Sequence, residues 1–521
     1  MEPEAPRPRA ARIAGAAALL AASVLLSRIL GFGREMVIAP LLGATPEADA
    51  YRAAFQIPDL LFHFLAGGAF SIAFIPIYTR MLAREGEAAA GDLLAVVLGT
   101  MTCLVTVLTL LLWFWAEPLI ALQFPRFEPE QKTLAVRLTR IVLPAQICFV
   151  AGGVIRAVLM ARDRFLTQAL APLLYNLGII AGGLLLGARL GAEGFAWGAL
   201  AGAVVGQLGL AVVDVRVGGL RLRWRVAPLD RRFLGYLGVA APLLLGLSLA
   251  TVDEWYDRWF GGLQAAGTIS YLAYARQLML VPVAVVGQAI GTAALPTFAQ
   301  LVSAGRPEEL GRTVEATLRA ALGLAVVAAA ALAVLEEPLV AVVYERGRFI
   351  GDDTLAVARV VGVFAWAVPA WVTQQIAARS FYARGDTWRP MVLGTVVAVA
   401  AVPLYLALGP RFGAEGLAAA GALGMSANAL ATLWLGRRLH GAPRLLPLLD
   451  TFARAGLAAG AGVLAALAAE PLGRGGGSLG ALAAGGAAFA LAAGAAIFAF
   501  GDAATRGAIA RAGARLVRRA R

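Results

Sequence analysis

Charge is scarce in this sequence: Asp, Glu, Lys and Arg together account for 15% of its 521 residues. Soluble domains run at about 25%, so the chain has too little charge to cover the surface of a soluble protein of its length. Cysteine is scarcer still. Cys103 and Cys148 are the only two and both lie inside apolar runs, which excludes a disulfide framework and reads as two small buried hydrophobes. There is no metal-ligand spacing, no nucleophile beside a base, and no Gly-rich phosphate loop followed by Lys. Nothing therefore points to an enzyme, a metal or a cofactor. Long loops are also missing. The largest is the basic segment around 214–232, too short for a soluble domain, so any functional site must lie within the apolar segments.

Those segments make up most of the chain. Hydrophobic residues occupy 60% of positions and the mean hydropathy is +0.76. A membrane-spanning helix needs about 20 mostly apolar residues. About fourteen such segments are present, at 13–41, 50–79, 92–116, 134–160, 165–188, 195–213, 233–260, 267–300, 314–335, 355–379, 389–409, 414–436, 453–470 and 479–500. The fold class is thus an all-α polytopic membrane protein. Gly31-Phe32-Gly33, Pro58, Pro76, Pro282 and Pro296 mark expected breaks, tolerated at membrane depth where backbone lines a protein-walled or wet cavity. The N-terminus imitates a signal peptide, with Arg7, Arg9 and Arg12 before an Ala/Leu-rich run from Ile13 to Leu26. That run continues into Ser27-Arg28-Ile29-Leu30-Gly31 and further apolar sequence, so it reads as an uncleaved first span.

The net charge of +13 is carried almost wholly by arginine. In a soluble chain this would suggest nucleic acid; here the charges fall mainly between apolar segments, and topology explains them. With the N-terminus in the cytoplasm, the inner loops hold Arg80 and Arg84, Arg162 and Arg164, the cluster from Arg216 to Arg232, Arg306 and Arg312, Arg384 and Arg389, and Arg437, Arg438 and Arg444. The tail adds Arg506, Arg511, Arg515, Arg518, Arg519 and Arg521. The outer loops carry few basic residues and most of the loop acids. The bias is about threefold, and an even number of spans with both termini inside preserves it.

The halves repeat at an offset of 220–224 residues. Gly191-Ala192-Glu193-Gly194 recurs as Gly413-Ala414-Glu415-Gly416, and Ala161-Arg162 as Ala383-Arg384. Arg34, Arg52 and Pro58 fall opposite Arg258, Arg276 and Pro282. Six spans per repeat make the repeats parallel, with a substrate site expected between them. The expected division is an N-terminal lobe over 1–216, a basic linker over 217–232, a second lobe over 233–438, and two accessory helices with a basic tail over 439–521. The last two spans are rich in Ala and Gly, which suits close helix contact.

Ionisable side chains at membrane depth cost at least about 2.5–3.5 kcal/mol, so they face a cavity or a partner. Spans 1 and 2 hold Arg28, Arg34, Glu35, Asp49, Arg52, Asp59 and His63; span 7 holds Asp253, Glu254, Asp257 and Arg258, and span 8 holds Arg276. Asp49 and Arg52, three apart, form a candidate ion pair, and Glu35 can neutralise Arg34 in the same way. After such pairing, Arg28, Arg52, Arg258 and Arg276 remain as a cationic surplus. They serve either bundle pairing or an anion, and a guanidinium fork suits a diphosphate. Asp253, Glu254 and Asp257 are candidates for a coupling-cation site, unless they simply pair with Arg258. His63, in an apolar stretch, reads as hydrogen-bonded within the bundle ahead of a proton relay.

Ser27-Arg28-Ile29-Leu30-Gly31-Phe32-Gly33-Arg34-Glu35 is similar to the signature near the start of the MurJ/MviN-type lipid II flippases. The likeness continues through Asp49-Ala50, Ile57-Pro58-Asp59-Leu60-Leu61 and the run from Gly68 to Pro76. In the second half, Tyr274-Ala275-Arg276 with Pro282, then Gly291-Thr292-Ala293-Ala294-Leu295-Pro296, resembles the family's second-lobe stretch. The resemblance implies two pseudo-symmetric six-helix lobes around a cationic central cavity, plus two C-terminal helices. It implies lipid II, the undecaprenyl-diphosphate-linked peptidoglycan precursor, as substrate. It places head-group binding on Ser27, Arg28, Arg34 and Asp49, to which the charge argument adds Arg52 and Arg276. The chain departs from the family at Phe62-His63 and Gly67, where charged residues are usual, and at Gln277, with the second-lobe arginine one place early at Arg276.

These features lead to an expected flippase of the bacterial inner membrane working by alternating access as a monomer, without cofactor or nucleic acid. An exporter of another undecaprenyl-linked glycan is the nearest alternative, made plausible by the lost charges. A drug/cation antiporter would favour an acidic, aromatic cavity. A membrane glycosyltransferase would want catalytic carboxylates near a sizeable outer loop.

Overall fold

The computed structural model describes residues 9–66, 73–245, 249–507 and 510. Arg7, Gly67, the motif residues 68–72 and the tail arginines Arg511, Arg515, Arg518, Arg519 and Arg521 lie outside the described residues. The chain forms two compact units, Met1–Gly246 and Leu247–Arg521. The division falls inside the seventh predicted span, whereas the sequence places the change of lobe at 217–232.

The first unit contains α1 (Arg9–Leu42), α2 (Pro46–Ala54), α3 (Gln56–Ala66), α4 (Ile75–Phe114), α5 (Ala116–Gln123), α6 (Pro129–Val142), α7 (Ala145–Ala161), α8 (Leu166–Leu190), α9 (Ala192–Gly202), α10 (Leu210–Val217) and α11 (Arg231–Leu245). Here α1 packs on α8, α4 on α7, α8 on α9, and α11 on α3 and α4. The basic linker is not loose: the Arg225 amide donates to the Ala95 carbonyl at 3.0 Å and the Ala227 amide to the Thr100 hydroxyl at 3.0 Å. The linker backbone thereby lies along α4.

The second unit contains α12 (Leu249–Gly261), α13 (Thr268–Pro282), α14 (Ala289–Ser303), α15 (Pro307–Val334), α16 (Glu336–Tyr344), α17 (Gly351–Ala365), α18 (Val368–Tyr382), α19 (Trp388–His440), α20 (Leu445–Gly473) and α21 (Gly477–Phe500). Here α12 and α18 pack on α19, and α15 on both α18 and α20. The α20–α21 hairpin closes through bare backbone. A Cβ on Gly473 would stand 2.2 Å from the Gly480 carbonyl oxygen, so only glycine permits the approach. The hairpin is held to α15 by charge: Asp502 takes the Arg319 guanidinium and the Thr451 hydroxyl, each at 2.9 Å.

Among the described residues, eight helical stretches are long and apolar enough to cross a bilayer, and the bent pair α17–α18, at 44°, makes a ninth. Two of the eight, Trp388–His440 and Leu445–Phe500, are long enough to cross twice, since a crossing takes about 20 residues. Gly413 breaks α19 with φ 58° and ψ −132°. Gly191, its repeat counterpart between α8 and α9, has φ 53° and ψ −130°. The matched tetrapeptides thus make the same turn. Asp163 and Gly385, at the same offset, share positive φ as well, as do Gly43 and Gly267.

The expected breaks divide. α2 gives way to α3 two residues before Pro58, and a π-helical turn, Val283–Gln288, follows Pro282. Pro76 falls in the first turn of α4. By contrast α1 runs unbroken through Gly31-Phe32-Gly33, and α14 through Pro296. A further π-helical turn, Ala203–Gly209, separates α9 from α10.

Candidate ion and head-group sites

In the first unit the polar residues of α1 meet those of α2 and α8. Glu35, buried, accepts from Arg34 at 3.0 Å and from Arg52, seventeen residues on, at 2.9 Å. Two guanidiniums thus share one buried carboxylate, with Asp49 buried three residues before Arg52 on α2. Arg34 also reaches the Asn176 side-chain oxygen at 3.4 Å, and the Asn176 amide nitrogen donates to the Ser27 hydroxyl at 3.5 Å. Asn176, on α8, therefore joins two of the predicted head-group residues. It carries no charge and sits in a different span, so charge reading along α1 had no means of finding it. Asp49 is buried in α2, whose N-terminus is capped by Thr45. Arg28 stands apart: it is exposed, flanked by exposed Leu25, Leu26 and Ile29, and pairs with no carboxylate among the described residues. His63 is half-buried, its ring edge-on to Phe64.

The second unit looks different. Arg276, on α13, is 7% exposed and inserts between two aspartates of α12. Its Nη1 donates to Asp253 Oδ2 and its Nε to Asp257 Oδ2, each at 2.6 Å, and Nη2 also pairs with Asp257. The Tyr405 hydroxyl of α19 donates to the other Asp253 oxygen at 2.6 Å, and the guanidinium lies 4.9 Å from the Phe364 ring centroid. Glu254 pairs with Arg258 one helical turn away. The expected cationic surplus is therefore absent here. Arg258 and Arg276 face three carboxylates, and the buried triad of Asp253, Asp257 and Arg276 carries one negative charge in excess. The physical reason is desolvation: a guanidinium buried in a bundle is retained where carboxylates and hydrogen bonds surround it. Among the described residues no group of three His, Cys, Asp or Glu side chains could hold a metal ion.

An all-α chain with two sequence repeats and ionised networks inside its helical units defines a polytopic helical membrane protein. Solved structures agree. An inward-closed lipid II flippase MurJ superposes with a TM-score of 0.77 at 21% identity, covering 92% of this chain and 98% of that one. An inward-facing multidrug-resistance MATE transporter of the multidrug/oligosaccharidyl-lipid/polysaccharide exporter superfamily gives 0.66 at 14% identity, covering 80% and 94%. The chain belongs to the MurJ family: the model of that family, described as lipid II flippase MurJ, matches residues 38–474. A probable lipid II flippase MurJ of Rhizobium meliloti (strain 1021) is 30% identical over 79% of this chain and 78% of its own length.

Proposed function

We propose that this protein carries lipid II, a polyprenyl-diphosphate glycolipid, from the cytoplasmic to the outer leaflet of the bacterial inner membrane, and catalyses no covalent reaction. Membership of the MurJ family supports the substrate. The observation that carries the site is the gathering of two guanidiniums, Arg34 and Arg52, on the one buried carboxylate of Glu35, with Arg28, six residues before Arg34 on α1, paired with no described carboxylate. An anion completes such a cluster, and a diphosphate matches the planar forks. In this reading Arg28, Arg34 and Arg52 take the diphosphate, Ser27 and Asp49 orient the sugar side, and the repeats alternate access as a monomer. Both termini face the cytoplasm, as the arginine bias favours. Arg276 keeps α12 and α13 together in this conformation, through Asp253 and Asp257. Their surplus of carboxylate, with Asp257 Oδ1 buried and without a hydrogen-bond partner, suits a coupling proton, while Glu254 and Arg258 form a local pair.

Complementation of a bacterium depleted of its own lipid II flippase tests this, with survival and externally accessible lipid II scored together. Rescue by the wild type and loss of rescue with Arg28→Ala, at equal expression, is the expected result. A wild type that inserts in the membrane but does not rescue would overturn lipid II as substrate. The second reading, another undecaprenyl-linked glycan, would then gain from Phe62-His63 and Gln277, where the sequence departs from the signature it resembles.

A further inference from the structure

Two arginines sit inside membrane helices with no carboxylate partner among the described residues, each held by a π-helical turn. Such a turn shifts the backbone pairing and leaves a carbonyl open to a side chain. In the first unit Arg156, on α7, donates to the Gln207 carbonyl at 2.6 Å and to the Gln168 side-chain oxygen at 3.1 Å. These are charge-assisted hydrogen bonds to neutral acceptors, and they account for a structural arginine.

In the second unit Arg379, on α18, has much less. Its one hydrogen bond runs from Nη1 to the Gln288 carbonyl at 3.3 Å. That carbonyl already accepts the Thr292 hydroxyl at 2.6 Å, so the arginine holds the weaker half of a shared acceptor. A guanidinium has five N–H donors, and among the described residues only this one is given to the protein. One turn earlier on α18, Gln375 has a buried side-chain oxygen with no hydrogen-bond partner. The backbone is shaped around this group: a Cβ on Gly291 would lie 1.7 Å from Nη1. Gly291 and Thr292, prominent in the sequence as a motif, thus make room for Arg379 and compete for its acceptor.

Arg379 sits in the last turn of α18 and is half-buried, so its side chain can reach a ligand at the inner-leaflet interface. We propose that Arg379 is a further phosphate-binding residue of the transport path, which takes the diphosphate of the lipid-linked substrate. The assignment rests on the function proposed above. Arg379 lies five residues before Arg384, about 8 Å along the helix, which on the proposed topology is the depth of the inner-leaflet phosphates. A substrate leaving that leaflet meets Arg379 early.

The test uses full-length protein in a neutral detergent, titrated with undecaprenyl diphosphate by microscale thermophoresis. Arg379→Gln is expected to weaken binding about tenfold or more, the loss of one charge-assisted bond, with an unchanged melting temperature. Arg379→Lys keeps the charge without the fork and is expected to fall several-fold, which keeps the test open where the Gln variant fails to fold. Wild-type affinity in the folded variants would overturn the proposal. So would an equal loss of affinity for phosphatidylglycerol nanodiscs, since Arg379 would then read the bilayer rather than the substrate. If the wild type fails to rescue a flippase-depleted cell and Arg379→Gln still weakens diphosphate binding tenfold, the phosphate site stands and the lipid II reading falls.

Discussion

Removing Arg276 should destabilise the second unit far more than removing either charge of a surface pair. The guanidinium is 7% exposed, and Asp253 and Asp257 are 1% and 4% exposed. Arg276→Met fills similar volume but leaves two buried carboxylates with no counter-charge, raising the local imbalance from one negative charge to two. Breaking a buried pair from one side costs about 3–5 kcal/mol. For a unit of this size that corresponds to a fall in melting temperature of about 6–20 °C. Asp257→Asn runs the other way: it removes the surplus charge and leaves Arg276 with Asp253 as a neutral pair, so its melting temperature should stay within a few degrees of wild type. The assay is thermal unfolding in detergent followed by tryptophan fluorescence, since Trp255, Trp259 and Trp371 all lie on helices of this unit. The ordering is the sharp part. If Arg276→Met melts like the wild type while Asp257→Asn is severely destabilised, the triad is not held together by charge balance, and the structural role given to Arg276 is wrong.

The same melt tests a half-buried arginine of the first unit. Arg156→Leu abandons two neutral acceptors, the Gln207 carbonyl and the Gln168 amide oxygen, and no carboxylate, so its cost should be about 1–3 kcal/mol; a loss as large as that of Arg276→Met would mean an unrecognised acidic partner. Gly473→Leu forces a side chain into the Gly480 carbonyl and should cost about 1–3 kcal/mol by overpacking. It should also speed tryptic cleavage at Arg474, in the turn between α20 and α21, and an unchanged cleavage rate would refute the close approach there.

How much of this was legible in the sequence depends on whether a feature is local. The repeated Gly-Ala-Glu-Gly makes the same backbone turn at Gly191 and Gly413 because a positive φ is a property of one residue and its neighbours. The Glu254–Arg258 pair was legible for the same reason, being one helical turn apart. Gly31-Phe32-Gly33 misled because the propensity penalty of glycine, about 1 kcal/mol each, is smaller than the cost of opening backbone hydrogen bonds away from water. An apolar medium therefore holds α1 straight where water would let it fray. The charges were the hardest to place. Spacing nominates partners a turn away, yet Arg52 found Glu35 seventeen residues back, and Arg276 found Asp257 and Asp253 nineteen and twenty-three back. Pairing in a bundle follows which helices touch. Arg379 was hidden more deeply, because its acceptor is a carbonyl exposed by a π-helical turn, and a backbone carbonyl carries no side-chain signature. Sequence can say which residues are expensive at membrane depth; only the packing says which have been neutralised. In the second unit that inverts the first reading: the arginine the motif singled out, Arg276, is paired with two carboxylates, and one that it passed over, Arg379, has none among the described residues.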